Sequence, residues 1–158
     1  MAGPGQESVW DYPRPPALRA SDALVVIVLG GVQLCRSTRG FQVLETSHPP
    51  TWYLPREDWL DGSLVNAPGS SYCEWKGTAS YLDVVAGGHV ATAAAWTYPR
   101  PSPAFAALRD HVAVYPAAMD RCTVDGETVL PQPGGFYGGW ITSSVVGPFK
   151  GEPQTRGW

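Results

Sequence analysis

Apolar positions along this chain come in short blocks, and the blocks alternate more often than they follow a helical period. The longest apolar run, Ala23-Leu24-Val25-Val26-Ile27-Val28-Leu29, is seven residues long and suits a buried strand. Gly30-Gly31 stops it, and Val32-Gln33-Leu34-Cys35-Arg36 answers it. That is a hairpin signature, because two glycines supply the positive φ angles of a primed turn. Phe41-Gln42-Val43-Leu44-Glu45 continues the meander, and prolines at 49 and 50 force extended backbone into a further strand, Thr51-Trp52-Tyr53-Leu54. Residues 55–60 read as one helical turn with Pro55 at its start. Residues 79–86 and 89–97 flank Gly87-Gly88 as a second hairpin. Cys122-Thr123-Val124 and Glu127-Thr128-Val129-Leu130 flank Asp125-Gly126 as a third. Between these lie one helix, begun by Ser102 as N-cap with Pro103 at its first position and running to about Asp110, and a strand over 111–115. Strands every 8–12 residues with turn punctuation predict an all-β, compact single-domain small barrel or sandwich with one short helix.

Composition narrows this reading. Eighteen Gly and sixteen Pro rule out a helical bundle, and 44% hydrophobic with 11% aromatic residues rules out wholesale disorder. At 158 residues the chain suits one domain with a sizeable core. A net charge of −3 and singly scattered basic residues give no field for nucleic acid. No apolar run reaches membrane-spanning length, and residues 1–22 lack a basic segment followed by an apolar one, so a cytoplasmic protein without membrane partners is expected. Cys35, Cys73 and Cys122 are odd in number and form no C-x-x-C pair, and the three histidines are scattered. Free thiols are therefore expected, with no metal and no cofactor. Three regions emerge: an arm over 1–22 packing on the domain, a core over 23–130, and a Gly/Pro/aromatic tail over 131–158. The tail carries Phe136, Tyr137, Trp140, Ile141, Val145, Val146, Phe149 and Trp158, too many apolar side chains to leave in water, and is expected to wrap the core.

Candidate chemistry concentrates in Tyr72-Cys73-Glu74-Trp75-Lys76-Gly77-Thr78-Ala79-Ser80-Tyr81, read as an alternating segment, and in Trp96-Thr97-Tyr98-Pro99. Aromatic walls with a few convergent polar groups are what a small-molecule pocket needs. Trp75, Tyr81, Trp96 and Tyr98, with Tyr53, are expected to line one cavity having Glu45, His48 and Lys76 at its polar end. Glu45 and His48 are either an acid–base pair or a hydrogen-bonded corner fixing the Pro49-Pro50 turn. Lys76 is an anion binder, base or Schiff-base amine, or else a surface ammonium. Tyr81 and Tyr98 suit hydrogen bonding into a pocket or into the core. Cys73 beside Glu74 is read as a structural thiol, and Glu57, Asp58 and Asp61 as a solvated face.

Leu44-Glu45-Thr46-Ser47-His48-Pro49-Pro50, Cys73-Glu74-Trp75-Lys76-Gly77-Thr78-Ala79-Ser80-Tyr81 and Ala95-Trp96-Thr97-Tyr98-Pro99 resemble the family known as domain of unknown function 427, sometimes labelled nucleotidyltransferase-like. The segments 131–140 and 146–151 resemble the ending of its extended subgroup. Where the family reads His-Cys-Pro before Trp-Lys-Gly, this chain has Tyr72-Cys73-Glu74. The resemblance implies a β-tent-like meander with a pocket between its sheets, and no settled reaction. Phosphoryl transfer would want several carboxylates on magnesium and a phosphate cradle, which the sequence lacks. Two functions are expected. The favoured one is a cofactor-independent enzyme acting on a small metabolite by acid–base chemistry (a cyclase, isomerase, lyase or hydrolase, in a biosynthetic pathway), with Glu45, His48, Lys76 and Tyr81 as catalytic groups. The other is a non-catalytic module holding a small cyclic or aromatic ligand in an aromatic cage.

Overall fold

Alternation sets the strands of this chain, and tight turns set the pairing of its hairpins. The computed structural model describes residues 2–133 and 137–151. In chain order the strands are β1 (Glu7–Ser8), β2 (Ala17–Ser21), β3 (Val25–Leu29), β4 (Val32–Ser37) and β5 (Gly40–Leu44). There follow β6 (Thr51–Pro55), β7 (Leu64–Cys73), β8 (Gly77–Ala86), β9 (His89–Thr97) and β10 (His111–Val114). Last come β11 (Arg121–Val124), β12 (Glu127–Thr128), β13 (Leu130–Pro131), β14 (Trp140–Ile141) and β15 (Val145–Val146). The three expected hairpins form: β3–β4, β8–β9 and β11–β12. Gly30 and Gly31 take φ of +59° and +75°, and Asp125 and Gly126 take +48° and +83°, the paired positive angles of a primed turn.

The fold is all-β, but the sheets are open and no barrel closes. Seven strands run in the order β2-β5-β6-β10-β9-β8-β7, and four in the order β12-β11-β3-β4. The meander breaks between β4 and β5: β5 pairs with β2 and β6 instead of β4, so the chain turns a corner from the smaller sheet to the larger one. Arg39 in that corner is held by Glu57 at 2.8 Å and Asp58 at 2.6 Å. The acidic residues of 57–58 thus brace a corner.

Period-2 burial gives the larger sheet two apolar faces. Trp52 and Leu54 join Leu82, Val84, Ala95, Val112 and Val114 in a core shared with Val25, Ile27, Leu34 and Cys122 of the smaller sheet. Tyr53, between Trp52 and Leu54, belongs to a second cluster with Val43, Ala79, Trp96, Tyr98 and Ala113. Phe105 and Leu108 complete that second cluster. They come from the expected helix, which is a six-residue 3-10 turn, Pro103–Leu108, kinked at Phe105. The Ser102 hydroxyl, rather than capping, donates to the Trp75 carbonyl at 2.5 Å. One long feature is corrected. Residues 72–81 are not one alternating strand but the end of β7, a turn and the start of β8. Asn66-Ala67-Pro68-Gly69 lies inside the edge strand β7, where a register shift tolerates the proline.

Both chain ends fold back. β14 pairs with β13, and Trp140 is buried in the first core, its backbone N–H donating to the Pro50 carbonyl at 2.8 Å. β15 pairs in parallel with β1, and Val145 packs with Val9, Tyr12 and Leu44. Phe136 and Trp158 lie outside the described residues.

Candidate functional site

The candidate site is built on the second face of the larger sheet, turned away from the smaller sheet, and so not between the two sheets. Its floor depends on an irregularity in the β8–β9 hairpin. Next to the turn Ala86 faces His89, and counting on at that register would leave Tyr81 and Trp96 two positions apart. The step from Val84 to Leu82 is answered on β9 by the step from Ala91 to Ala95, two residues more. Ala93 absorbs the excess at φ +51°, and its N–H donates to the Asp83 carboxylate at 2.7 Å. Two extra residues preserve the alternation, so Tyr81 and Trp96 end directly opposite on the same face.

Around Trp96 the wall is aromatic. Its indole Nε1 donates to the Tyr53 hydroxyl at 3.1 Å, and its ring lies 4.6 Å from that of Tyr115. Tyr98 stands 6.2 Å from Tyr53, with the Lys76 ammonium 5.8 Å from its ring centroid. Tyr81 donates to Ser71 Oγ at 3.0 Å.

The polar end is a turn over residues 45–48, in which the His48 N–H donates to the Glu45 carbonyl at 3.0 Å. Ser47 sits in the left-handed region at φ 70°, held there because its N–H donates to Val9 and its carbonyl accepts from Lys150 N–H. The arm and the tail therefore clamp this corner from both sides. It brings His48 Nε2 to 3.6 Å from Glu45 Oε2, while Arg14 Nε lies 3.7 Å from the same oxygen. Gln132 Nε2 stands 3.0 Å from His48 Nδ1, and the Tyr137 ring packs edge-on at 5.2 Å. Burial lowers the His48 pKa against the opposing pull of Glu45, with Arg14 and Lys150 adding to the depression.

A cavity of about 260 Å³ joins these groups. Glu45, His48, Tyr53, Lys76, Tyr81, Trp96 and Tyr98 all line it. Trp75 does not: its side chain packs into the second cluster beside the 3-10 turn that its carbonyl anchors, and the expectation that it lines the cavity is corrected. Cys73 packs in the same cluster and is likewise absent from the walls. Sequence reasoning missed Thr51, Ser71, Tyr115, Gln132 and Tyr137. Alternation could have found Thr51, which shares a face with Tyr53, but nothing local marks Gln132 in a Gly/Pro-rich stretch.

Two phenols of the wall, Tyr53 and Tyr98, are held neutral by burial. Burial raises Tyr98, and raises Tyr53 well above the ordinary phenol value. A phenol whose folded pKa is raised contributes stability below its unfolded value near pH 10, and that stability is lost as pH climbs from there towards the folded value. We expect an alkaline absorbance titration in which Tyr53 and Tyr98 ionise only as the protein unfolds. Their ionisation in a still folded protein would contradict the closed wall.

Gly138 is needed for its lack of a side chain: a Cβ there would stand 2.2 Å from Trp96 Cη2. Because Tyr53 and Tyr115 box the indole, Gly138→Ala is expected to lower stability by about 1–3 kcal/mol, read from a denaturant midpoint. An unchanged midpoint would show that the tail does not press on Trp96.

Among the described residues no three His, Cys, Asp or Glu side chains gather to hold a metal ion, and no helix is long and apolar enough to cross a membrane. No curated protein matches the chain. The whole larger sheet and every wall of the cavity except Gln132, Tyr137 and Gly138 fall within residues 17–125, the stretch matched by the model of a family described as a domain of unknown function (DUF427), and the chain belongs to that family.

Proposed function

We propose that this protein is a cofactor-independent enzyme acting on a small ring-bearing metabolite by acid–base chemistry, with Glu45 as the proton acceptor. The observation that carries the reading is the Glu45–His48 pair, 3.6 Å apart, set at the end of an aromatic cavity and partly withdrawn from water. A titratable pair held by both chain ends is more machinery than binding alone needs. The volume, about 260 Å³, lies just below the usual range of ligand pockets, roughly 300–1,000 Å³, which suits a single ring stacked among Tyr53, Trp96 and Tyr115. Lys76 beside Tyr98 is suited to anchoring an anionic substituent, and the reaction class is an isomerisation, cyclisation, elimination or hydrolysis. A place in the cytoplasm and in a biosynthetic pathway is part of the same proposal.

A second reading is favoured by one feature. Trp96 Nε1 spends its hydrogen on the Tyr53 hydroxyl oxygen, so that part of the wall offers an indole ring face rather than a free N–H. That is the chemistry of an aromatic cage in a non-catalytic binding module. The two readings separate when the protein is incubated with a metabolite extract of its own cells and analysed by mass spectrometry. The enzyme reading expects one ring compound to disappear and a product to form with the unaltered protein, while Glu45→Gln retains the compound unchanged. Retention by both proteins with no product in either establishes the binding module instead.

A further inference from the structure

We infer that Gln132, contributed by the tail that follows the family domain, holds His48 as the neutral ring protonated on Nε2, so that His48 is the hydrogen-bond donor and Glu45 the sole acceptor of the pair. This rests on the acid–base reading of the cavity and assigns its roles. The orientation of the Gln132 amide is determined from both ends. Its Oε1 accepts the Gly139 N–H at 3.1 Å, and its Nε2 donates to the Lys150 carbonyl at 2.8 Å. Flipping the amide would set N–H against N–H and oxygen against oxygen. The second Nε2 hydrogen therefore faces His48 Nδ1 at 3.0 Å, and that nitrogen must accept. A proton on Nδ1 would meet the amide's own hydrogen. The ring proton is left on Nε2, which faces Glu45 Oε2 at 3.6 Å, beyond an ordinary hydrogen bond, so this N–H is not committed to the carboxylate. The charged groups facing the ring are Glu45, Arg14 and Lys150, the last two opposing a second proton, with the Tyr137 ring packed against its edge.

The arrangement selects a substrate class: a small ring compound with an oxygen, such as a carbonyl, next to an acidic hydrogen. Glu45 takes that hydrogen as a proton and forms the new O–H bond. The electron pair it leaves behind moves onto the substrate oxygen, which accepts the His48 Nε2–H hydrogen bond. A carboxylate base beside a neutral histidine donor is a known solution for removing a proton next to a carbonyl. Gln132 touches no reacting atom and is a positioning residue.

Nitrogen-15 NMR of the labelled full-length protein tests this, with His48→Asn identifying the His48 signals. The expected spectrum at neutral pH shows His48 neutral with its proton on Nε2; a proton on Nδ1, or an imidazolium, overturns the inference. Gln132→Glu puts an acceptor opposite Nδ1 and is expected to raise the pH at which His48 loses its charge by about one unit or more. Gln132→Met removes the donor and is expected to give a mixture of both tautomers. If Gln132→Met keeps the wild-type tautomer and titration, Gln132 does not set it. Failure to find any turnover would remove the enzymatic reading while leaving the tautomer result standing, so the two can fail separately.

Discussion

Trp140→Ala is expected to lower the stability of the protein by about 3–5 kcal/mol, the usual cost of emptying a buried aromatic site. The Trp140 side chain is 1% exposed and lies 6.2 Å from Trp52, inside the core between the two sheets. The substitution removes that packing and leaves the Val114 carbonyl without the indole donor now 3.3 Å away. It also removes the anchor of β14, so Gln132, whose neighbour Pro131 pairs with Trp140, loses its setting against His48. Trp140→Phe keeps most of the packing and loses the hydrogen bond, so a cost nearer 1 kcal/mol is expected. Denaturant unfolding checks both, the midpoint falling with the slope unchanged. A cost under about 1 kcal/mol for the alanine variant would show that the tail is not part of the core.

Glu45→Gln is expected to reduce turnover about 10²–10⁴-fold while leaving ligand affinity close to that of the unaltered protein. The amide keeps the carboxylate's shape but cannot take a proton. Glu45 is partly exposed and its charged neighbour, Arg14, is an exposed side chain, so folding should not depend on the charge. Comparable turnover in the two proteins would move the base elsewhere in the cavity. Loss of binding along with turnover would make Glu45 a ligand contact rather than a base.

The hairpins were legible because their turns carry local instructions. Gly30-Gly31 and Asp125-Gly126 can adopt paired positive φ angles whatever surrounds them, and the runs beside them have no other use for alternating side chains. The aromatic wall was legible for the same reason: period-2 spacing puts Tyr53 on one face and Trp52 and Leu54 on the other. That inference survived because the irregularity in β9 contains two extra residues; a single one would have turned Trp96 away from Tyr81. Trp75 was misplaced because residues 72–81 turn at Glu74–Lys76, and whether a segment turns or runs on depends on partners far along the chain.

The sequence by itself determined the all-β class, the three tight turns and the aromatic residues Tyr53, Tyr81 and Trp96 that face the cavity from the larger sheet, since each follows from local backbone preference and alternation. Only the tertiary structure decided which strands became neighbours, that the sheets stay open, and that the cavity lies outside the sandwich. It also decided the state of His48. The groups that hold it, Val9 and Arg14 from the arm and Gln132 and Lys150 from the tail, are brought to residues 45–48 by the β1–β15 and β13–β14 pairs and by burial of Trp140. Contacts across such separations leave no period in a sequence, because they arise from how two ends of a chain cover one apolar surface.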